Sequence, residues 1–211
     1  MALPQLALAV VLAYLIGSIP TGLLVARMEG VDLLAKGSGK TGAANTMNAV
    51  GIGAAATVLA VDLVKGVLAT LLAYLFPWDG VWLAVAVTCA GAAAILGHNY
   101  SVWVRLMSGR WGGGRGIVTA LGAMVLLHPL VVLVAVVAGL LGLVLTRYMV
   151  VGAIAGTIAA VVAAVILVAS GSLWSWFLLA VAVWAVLVIA GFRDNLERLA
   201  QGAETKLGRP L

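Results

Sequence analysis

Six apolar runs, near 4–26, 50–76, 81–97, 130–146, 149–170 and 173–191, restrict this chain to a bundle of helices in lipid. Each is close to the roughly 20 residues that a helix needs to cross a hydrocarbon core. Inside that core no water meets the backbone, so each segment must satisfy its own N–H and C=O groups, as a helix does. A seventh stretch, 117–127, is apolar but would span only about half the core. His128-Pro129 then interrupts the pattern, because proline has no N–H and restricts the residue before it. The segment 116–146 therefore reads as a helical hairpin with its tip at His128-Pro129. With 64% hydrophobic residues, 9% charged residues and a mean hydropathy of +1.22, the balance is that of an integral membrane protein. The expected fold class is all-α: a polytopic seven-helix transmembrane bundle forming one domain over residues 1–211. Small residues such as Gly152-Ala153-Ile154-Ala155-Gly156 suit close helix packing in lipid. The N-terminal run lacks the basic segment of a signal peptide and is expected to stay as the first span.

Charge placement gives an expected sidedness. Arg27, Lys36 and Lys40 flank one polar segment, and Arg105, Arg110 and Arg115 fill another. Arg147 lies between spans, and Arg193, Arg198, Lys206 and Arg209 lie in the tail. The turns near 77–80 and 170–174 and the His128-Pro129 tip carry no Lys or Arg, and Asp79 is the one charge there. Seven crossings put every basic cluster on one face, which the positive-inside rule makes cytoplasmic. The N-terminus is then outside and the C-terminus inside, whereas six crossings would divide the basic clusters between faces. The net charge of +5 is thus a topology signal, and no run of Lys/Arg with interleaved aromatics tracks a nucleic acid. Cys89 alone makes no disulfide framework. Trp78, Trp82, Trp103, Trp174 and Trp176 read as interfacial anchors.

Two glycine-rich polar islands stand out against this background. The first is Lys36-Gly37-Ser38-Gly39-Lys40-Thr41-Gly42-Ala43-Ala44-Asn45-Thr46; the second is Gly112-Gly113-Gly114-Arg115-Gly116. Glycines let successive N–H groups turn toward an anion, and Ser38, Lys40, Thr41 and Asn45 add donors. The bland alternative is a solvated loop. Gly39-Lys40-Thr41 ends like a nucleotide-binding P-loop, but position 34 is Leu where that motif needs Gly, so no nucleotide is expected. Arg115, with glycine on both sides, has a planar fork suited to phosphate. Asp62 and Lys65, at i and i+3 inside a span, are either a functional pair or a structural ion pair fixing helix register. His98 opens the second basic loop as a possible acid, base or phosphate donor, and with no second His nearby no metal site is expected. Residues 192–199 form a short amphipathic helix.

These pieces, in this order, resemble the bacterial acyl-phosphate:glycerol-3-phosphate acyltransferase family over nearly the whole chain. The resemblance rests on Gly17-Ser18-Ile19-Pro20-Thr21-Gly22, then Gly37-Ser38-Gly39 through Gly42-Ala43 and Asn45. It continues through Asp62-Leu63-Val64-Lys65-Gly66, Gly97-His98, Gly113-Gly114-Arg115-Gly116 and Thr146-Arg147-Tyr148. In the tail it takes in Arg193, Asn195, Arg198-Leu199, Gly202, Glu204, Lys206 and Gly208. The chain resembles a divergent member: Ala44, Asn48 and Phe192 stand where the family has Thr, Arg and His, and Val150 lies where it has serines.

The resemblance implies transfer of an acyl chain from acyl phosphate to the 1-hydroxyl of sn-glycerol 3-phosphate, giving lysophosphatidic acid and phosphate without metal, nucleotide or other cofactor. It implies a multi-pass protein of the bacterial inner membrane with its site on the cytoplasmic face. On it, Ser38, Arg115, Asn195 and His98 are expected in the reaction. Gly37, Gly39, Lys40, Thr41, Gly42, Asn45, Lys65, Gly113, Gly114, Arg147 and Arg193 are expected to bind substrate. Two other readings stand beside it. One is a catalytically altered relative that binds lipid or acyl phosphate, or acylates another phosphorylated alcohol. The other is a transporter of a phosphorylated solute, for which the outer half of the bundle offers little polar path.

Overall fold

In a computed structural model the chain is described from residue 2 to residue 207; Gly208 and Arg209 lie outside the described residues. Every regular element among the described residues is helical. The chain divides into two compact units, one ending at Ala123 and the other starting at Met124.

In the first unit the apolar run expected near 4–26 is broken. Helix α1 (Ala2–Gly17) stops, and α2 (Thr21–Met28) begins after Ser18-Ile19-Pro20. Pro20 has no N–H to continue the ladder, so the chain turns, with the Thr21 N–H donating to the Ile19 carbonyl at 3.0 Å. A short 3-10 turn (Leu33–Ala35) and helix α3 (Ala43–Ala49) follow, so the first island is folded in part as helix rather than as loop. Helix α4 (Ile52–Tyr74) matches the second expected span closely, and α5 (Trp82–Asn99) the third. Beyond α5 the chain re-enters a helix, α6 (Val102–Ser108). Ser101 caps it, its hydroxyl accepting from the Val104 N–H at 3.1 Å. Helices α1 and α5 pack backbone to backbone. A β-carbon on Gly17 would overlap the Ala94 backbone, and one on Gly97 would overlap the Tyr14 carbonyl. Helix α7 (Ile117–Val125), nine residues long, crosses the unit boundary.

The second unit holds α8 (Pro129–Thr146), α9 (Met149–Ala169), α10 (Ser175–Gly191) and α11 (Arg193–Ala200). Pro129 sits in the first turn of α8, where its missing N–H costs nothing. Helices α8 and α9 approach closely; a β-carbon on Gly139 would lie 3.2 Å from the Gly152 carbonyl oxygen. The turn between them puts Arg147 in the left-handed region at φ 63°. Helix α11 leaves the axis of α10 at 57°. Leu133, Leu140, Leu141, Val144 and Leu145 on α8 are exposed, a surface suited to lipid and not to water.

Among the described residues, five helical stretches are long and apolar enough to cross a membrane, and a sixth counts if the bent pair α10–α11 is one span.

Candidate active site

The two glycine islands meet. The Thr41 backbone N–H donates to the Gly113 carbonyl at 3.1 Å, so segments far apart in sequence form one surface in the first unit. Around that junction the first island is organised by Asn45 on α3. Its Oδ1 accepts from the Ser38 N–H at 3.1 Å. Its amide nitrogen lies within donating distance of the carbonyls of Leu33 (3.3 Å), Lys36 (3.1 Å) and Lys40 (2.9 Å). Asn45 is therefore turned inward as the staple of the loop. Gly37 and Gly39, at φ +52° and +64°, allow the turns between those carbonyls. The Ser38 side chain stands exposed at the rim.

The second island runs against the C-terminal end of α5. The Gly114 N–H donates to the His98 carbonyl at 2.8 Å, and the Ser101 N–H donates to that of Gly112 at 2.8 Å. Gly113 and Gly114 are dictated by space. A β-carbon on Gly113 would overlap the His98 and Asn99 carbonyls, and one on Gly114 would overlap the His98 imidazole at Nε2. The island backbone thereby lies directly on His98. Arg115 is half-buried beside it. Arg110 reaches back to the first island's approach, donating to the Leu34 carbonyl at 3.3 Å.

Behind His98 lies a buried ionic group. Lys65 Nζ is 2.7 Å from Asp62 Oδ1, 2.8 Å from the Ile19 carbonyl and 3.4 Å from His98 Nδ1. Asp62, Lys65 and His98 are only 3%, 2% and 7% exposed. Their i, i+3 spacing shows in the sequence, but nothing there shows that the pair backs His98.

The remaining expected residues belong to the second unit. Asn195 on α11 donates its amide to Glu204 Oε1 at 2.6 Å, and Arg198 Nε donates to Glu204 Oε2 at 2.8 Å. Arg193 is exposed and donates to Glu197 at 2.9 Å. Arg147 is tied to the tail twice: its guanidinium donates to the Leu207 carbonyl at 3.1 Å, and its carbonyl accepts from the Leu207 N–H at 2.7 Å. Lys206 lies over the Tyr148 ring, 5.4 Å from its centroid. Glu204 was legible only as part of the tail spacing, and its grip on Asn195 was not. Among the described residues no three His, Cys, Asp or Glu side chains gather as a metal site.

Residues 7–202 match the glycerol-3-phosphate acyltransferase family. The chain belongs to that family. A glycerol-3-phosphate acyltransferase of Thermus thermophilus is 40% identical over 197 residues, covering 93% of this chain and 92% of the relative. One from Deinococcus radiodurans, glycerol-3-phosphate acyltransferase 1, is 36% identical over 201 residues, 95% of each chain. The fold is similar to a crystal structure of PlsY (YgiH), an integral membrane glycerol 3-phosphate acyltransferase, in its glycerol 3-phosphate form. The TM-score is 0.81 at 33% identity, covering 96% of both chains. Its lysophosphatidic acid form matches with a TM-score of 0.80. In this family member two positions that depart from the expected pattern, Val150 and Phe192, are buried core residues, while Asn48 is exposed.

Proposed function

We propose that this chain is a membrane acyltransferase that moves an acyl group from acyl phosphate to the 1-hydroxyl of sn-glycerol 3-phosphate, releasing lysophosphatidic acid and phosphate. The observation that carries the reading is the Thr41–Gly113 junction, which joins two anion-suited glycine loops over His98. Family membership supplies the reaction class, and the junction supplies a surface on which a phosphoryl group can be held by backbone N–H groups and cations.

The chemistry asks little of the protein covalently. The acceptor hydroxyl oxygen forms a bond to the acyl carbon, the bond from that carbon to the phosphate oxygen breaks, and phosphate leaves with the electron pair. The hydroxyl proton passes to the phosphate, so no protein nucleophile is needed. What the protein must do is hold two anions that repel each other and stabilise charge on the carbonyl and the departing phosphate. In this reading Ser38, Lys40, Thr41 and the Gly37, Gly39 and Gly42 backbone hold one phosphate, with Asn45 keeping their loop in shape. Arg115 with Gly113 and Gly114 holds the other or stabilises the carbonyl. His98 helps orient the acceptor; in the second unit, Asn195 is proposed for the same role and Arg147 and Arg193 for charge toward phosphorylated substrates. The protein works as a single domain of the bacterial inner membrane. It crosses seven times, with its N-terminus outside and the site on the cytoplasmic face.

The test supplies acyl phosphate and radiolabelled glycerol 3-phosphate to purified protein. Lysophosphatidic acid is the expected product, and its absence beside a working control overturns the reading. Arg115→Ala is expected to abolish turnover. A second reading, an altered acceptor preference, is favoured by Val150 and Phe192, which place apolar core where polar residues are expected. The same assay with other phosphorylated alcohols decides it.

A further inference from the structure

Lys65 was expected to meet substrate, yet its ammonium is already engaged. It forms an ion pair with Asp62 Oδ1 at 2.7 Å and lies within donating distance of the Ile19 carbonyl and His98 Nδ1. An ammonium donates and cannot accept, so the ring nitrogen it meets must be the acceptor. The competing arrangement would have His98 Nδ1–H donating to Asp62. That contact is 3.9 Å, beyond hydrogen-bond reach. With Nδ1 as acceptor, the neutral imidazole carries its proton on Nε2.

Nε2 is the edge of the ring that lies against Gly114, in the space a side chain there would fill. Among the described residues no hydrogen bond is made from Nε2, although His98 is 7% exposed. An N–H that lies against a glycine loop and has no protein acceptor among the described residues is poised for an acceptor that arrives with a ligand. Two charges kept almost fully buried within a span are costly, and that cost points to a function beyond helix register.

We propose that Asp62 and Lys65 are positioning residues that lock His98 in its Nε2–H tautomer and present that N–H to the second glycine island as a donor to a phosphoryl oxygen. Asp62 holds Lys65, Lys65 holds both the α1–α2 break at Ile19 and the imidazole, and the His98 carbonyl holds the Gly114 N–H. One buried pair thus sets the ring and the loop together. The donor half of this proposal rests on the reading of that island as a phosphate site; the tautomer half does not.

The test is nitrogen NMR of the full-length protein in detergent with labelled histidine, in a His128→Gln background that leaves one imidazole. At neutral pH the expected spectrum shows Nδ1 unprotonated and Nε2 protonated. An Nδ1–H tautomer or an imidazolium overturns the proposal without any further variant. Lys65→Met is expected to lose the tautomer preference and Lys65→Arg to restore it; an unchanged tautomer in Lys65→Met also overturns it. Inorganic phosphate is then titrated. A shift confined to Nε2 is expected, and its absence removes the donor role even where the tautomer is as described. In the transfer assay Lys65→Met should raise the KM for a phosphorylated substrate about tenfold to a hundredfold. A fall in kcat alone, with KM unchanged, contradicts the donor role. Loss of turnover in the unaltered protein, with the tautomer and the phosphate shift intact, strikes the proposed reaction and not this device.

Discussion

The imidazole of His98 occupies the space beside Gly114 that any other residue at that position would need for its side chain. Gly114→Ala must therefore push the ring off the Lys65 ammonium or lift the second island away from α5. Misplacement of about 1 Å in a reacting constellation costs on the order of a hundredfold in rate, and a loss of that size is expected. Gly112 is the control. Its added carbon meets only a methyl of Val104 at 3.3 Å, and Gly112→Ala should remain within a few-fold of the parent. Initial rates of lysophosphatidic acid formation, at matched amounts of folded protein, distinguish the two. Equal rates would show that the ring and the loop are not coupled.

Asn45 predicts an inversion of the usual order of conservative and drastic changes. Asn45→Asp keeps the acceptor for the Ser38 N–H but places a charged oxygen among the carbonyls of Leu33, Lys36 and Lys40. Asn45→Ala only leaves groups unpaired, at about 1–3 kcal/mol for each one that is buried and less for those water can reach. The aspartate variant is expected to melt lower and turn over more slowly than the alanine variant. Thermal unfolding in detergent checks the first half and the transfer assay the second; a more stable aspartate variant refutes this account of the loop.

Much of the architecture could be read beforehand because lipid leaves a chain few choices. The runs at 50–76, 130–146 and 149–170 became α4, α8 and α9 nearly to the residue. The break after Gly17 was harder to see, since hydropathy runs on through Ser18-Ile19-Pro20. Its carbonyl at Ile19 is answered from α4, by Lys65, a partner that no local window contains. Helix α3 hid inside a segment whose glycines and polar residues read as loop. In sequence Asn45 reads as a donor to an anion, whereas in the structure its amide serves the loop carbonyls of Leu33, Lys36 and Lys40. Charge placement puts both islands on one face but does not show that Thr41 meets Gly113. The bond that joins them is backbone to backbone, and backbone groups carry no residue-specific signature.

Glu204 is expected to matter through Asn195 rather than through its charge. Arg198 is 40% exposed, so its pair with Glu204 contributes no more than about 1 kcal/mol after solvent screening. Asn195 is 4% exposed, and its bond to Glu204 Oε1 lies largely out of water. Glu204→Gln keeps that acceptor and should cost about 1 kcal/mol or less. Glu204→Ala removes it and should cost more, about 1–3 kcal/mol. Equal melting temperatures for the two variants would shift the weight to the ion pair. Glu197→Ala, which loses only the exposed contact to Arg193, should change stability by no more than about 0.5 kcal/mol.

Sidedness gives the last prediction, since seven crossings and six differ in where the tail lies. In the seven-crossing arrangement Glu29, beside the first island, and Gln201, after α11, share the cytoplasmic face. Asp79 and Ser172, in turns without Lys or Arg, face outward. All four side chains are exposed, so each can carry a cysteine in a Cys89→Ala background. A maleimide that cannot cross membranes should label Asp79→Cys and Ser172→Cys in intact cells, and Glu29→Cys and Gln201→Cys only after permeabilisation. Six crossings would move Gln201 to the outer face while leaving Glu29 inside. Labelling of Gln201→Cys without permeabilisation would therefore overturn the seven-span topology and separate Asn195 from the cytoplasmic substrates it is proposed to orient.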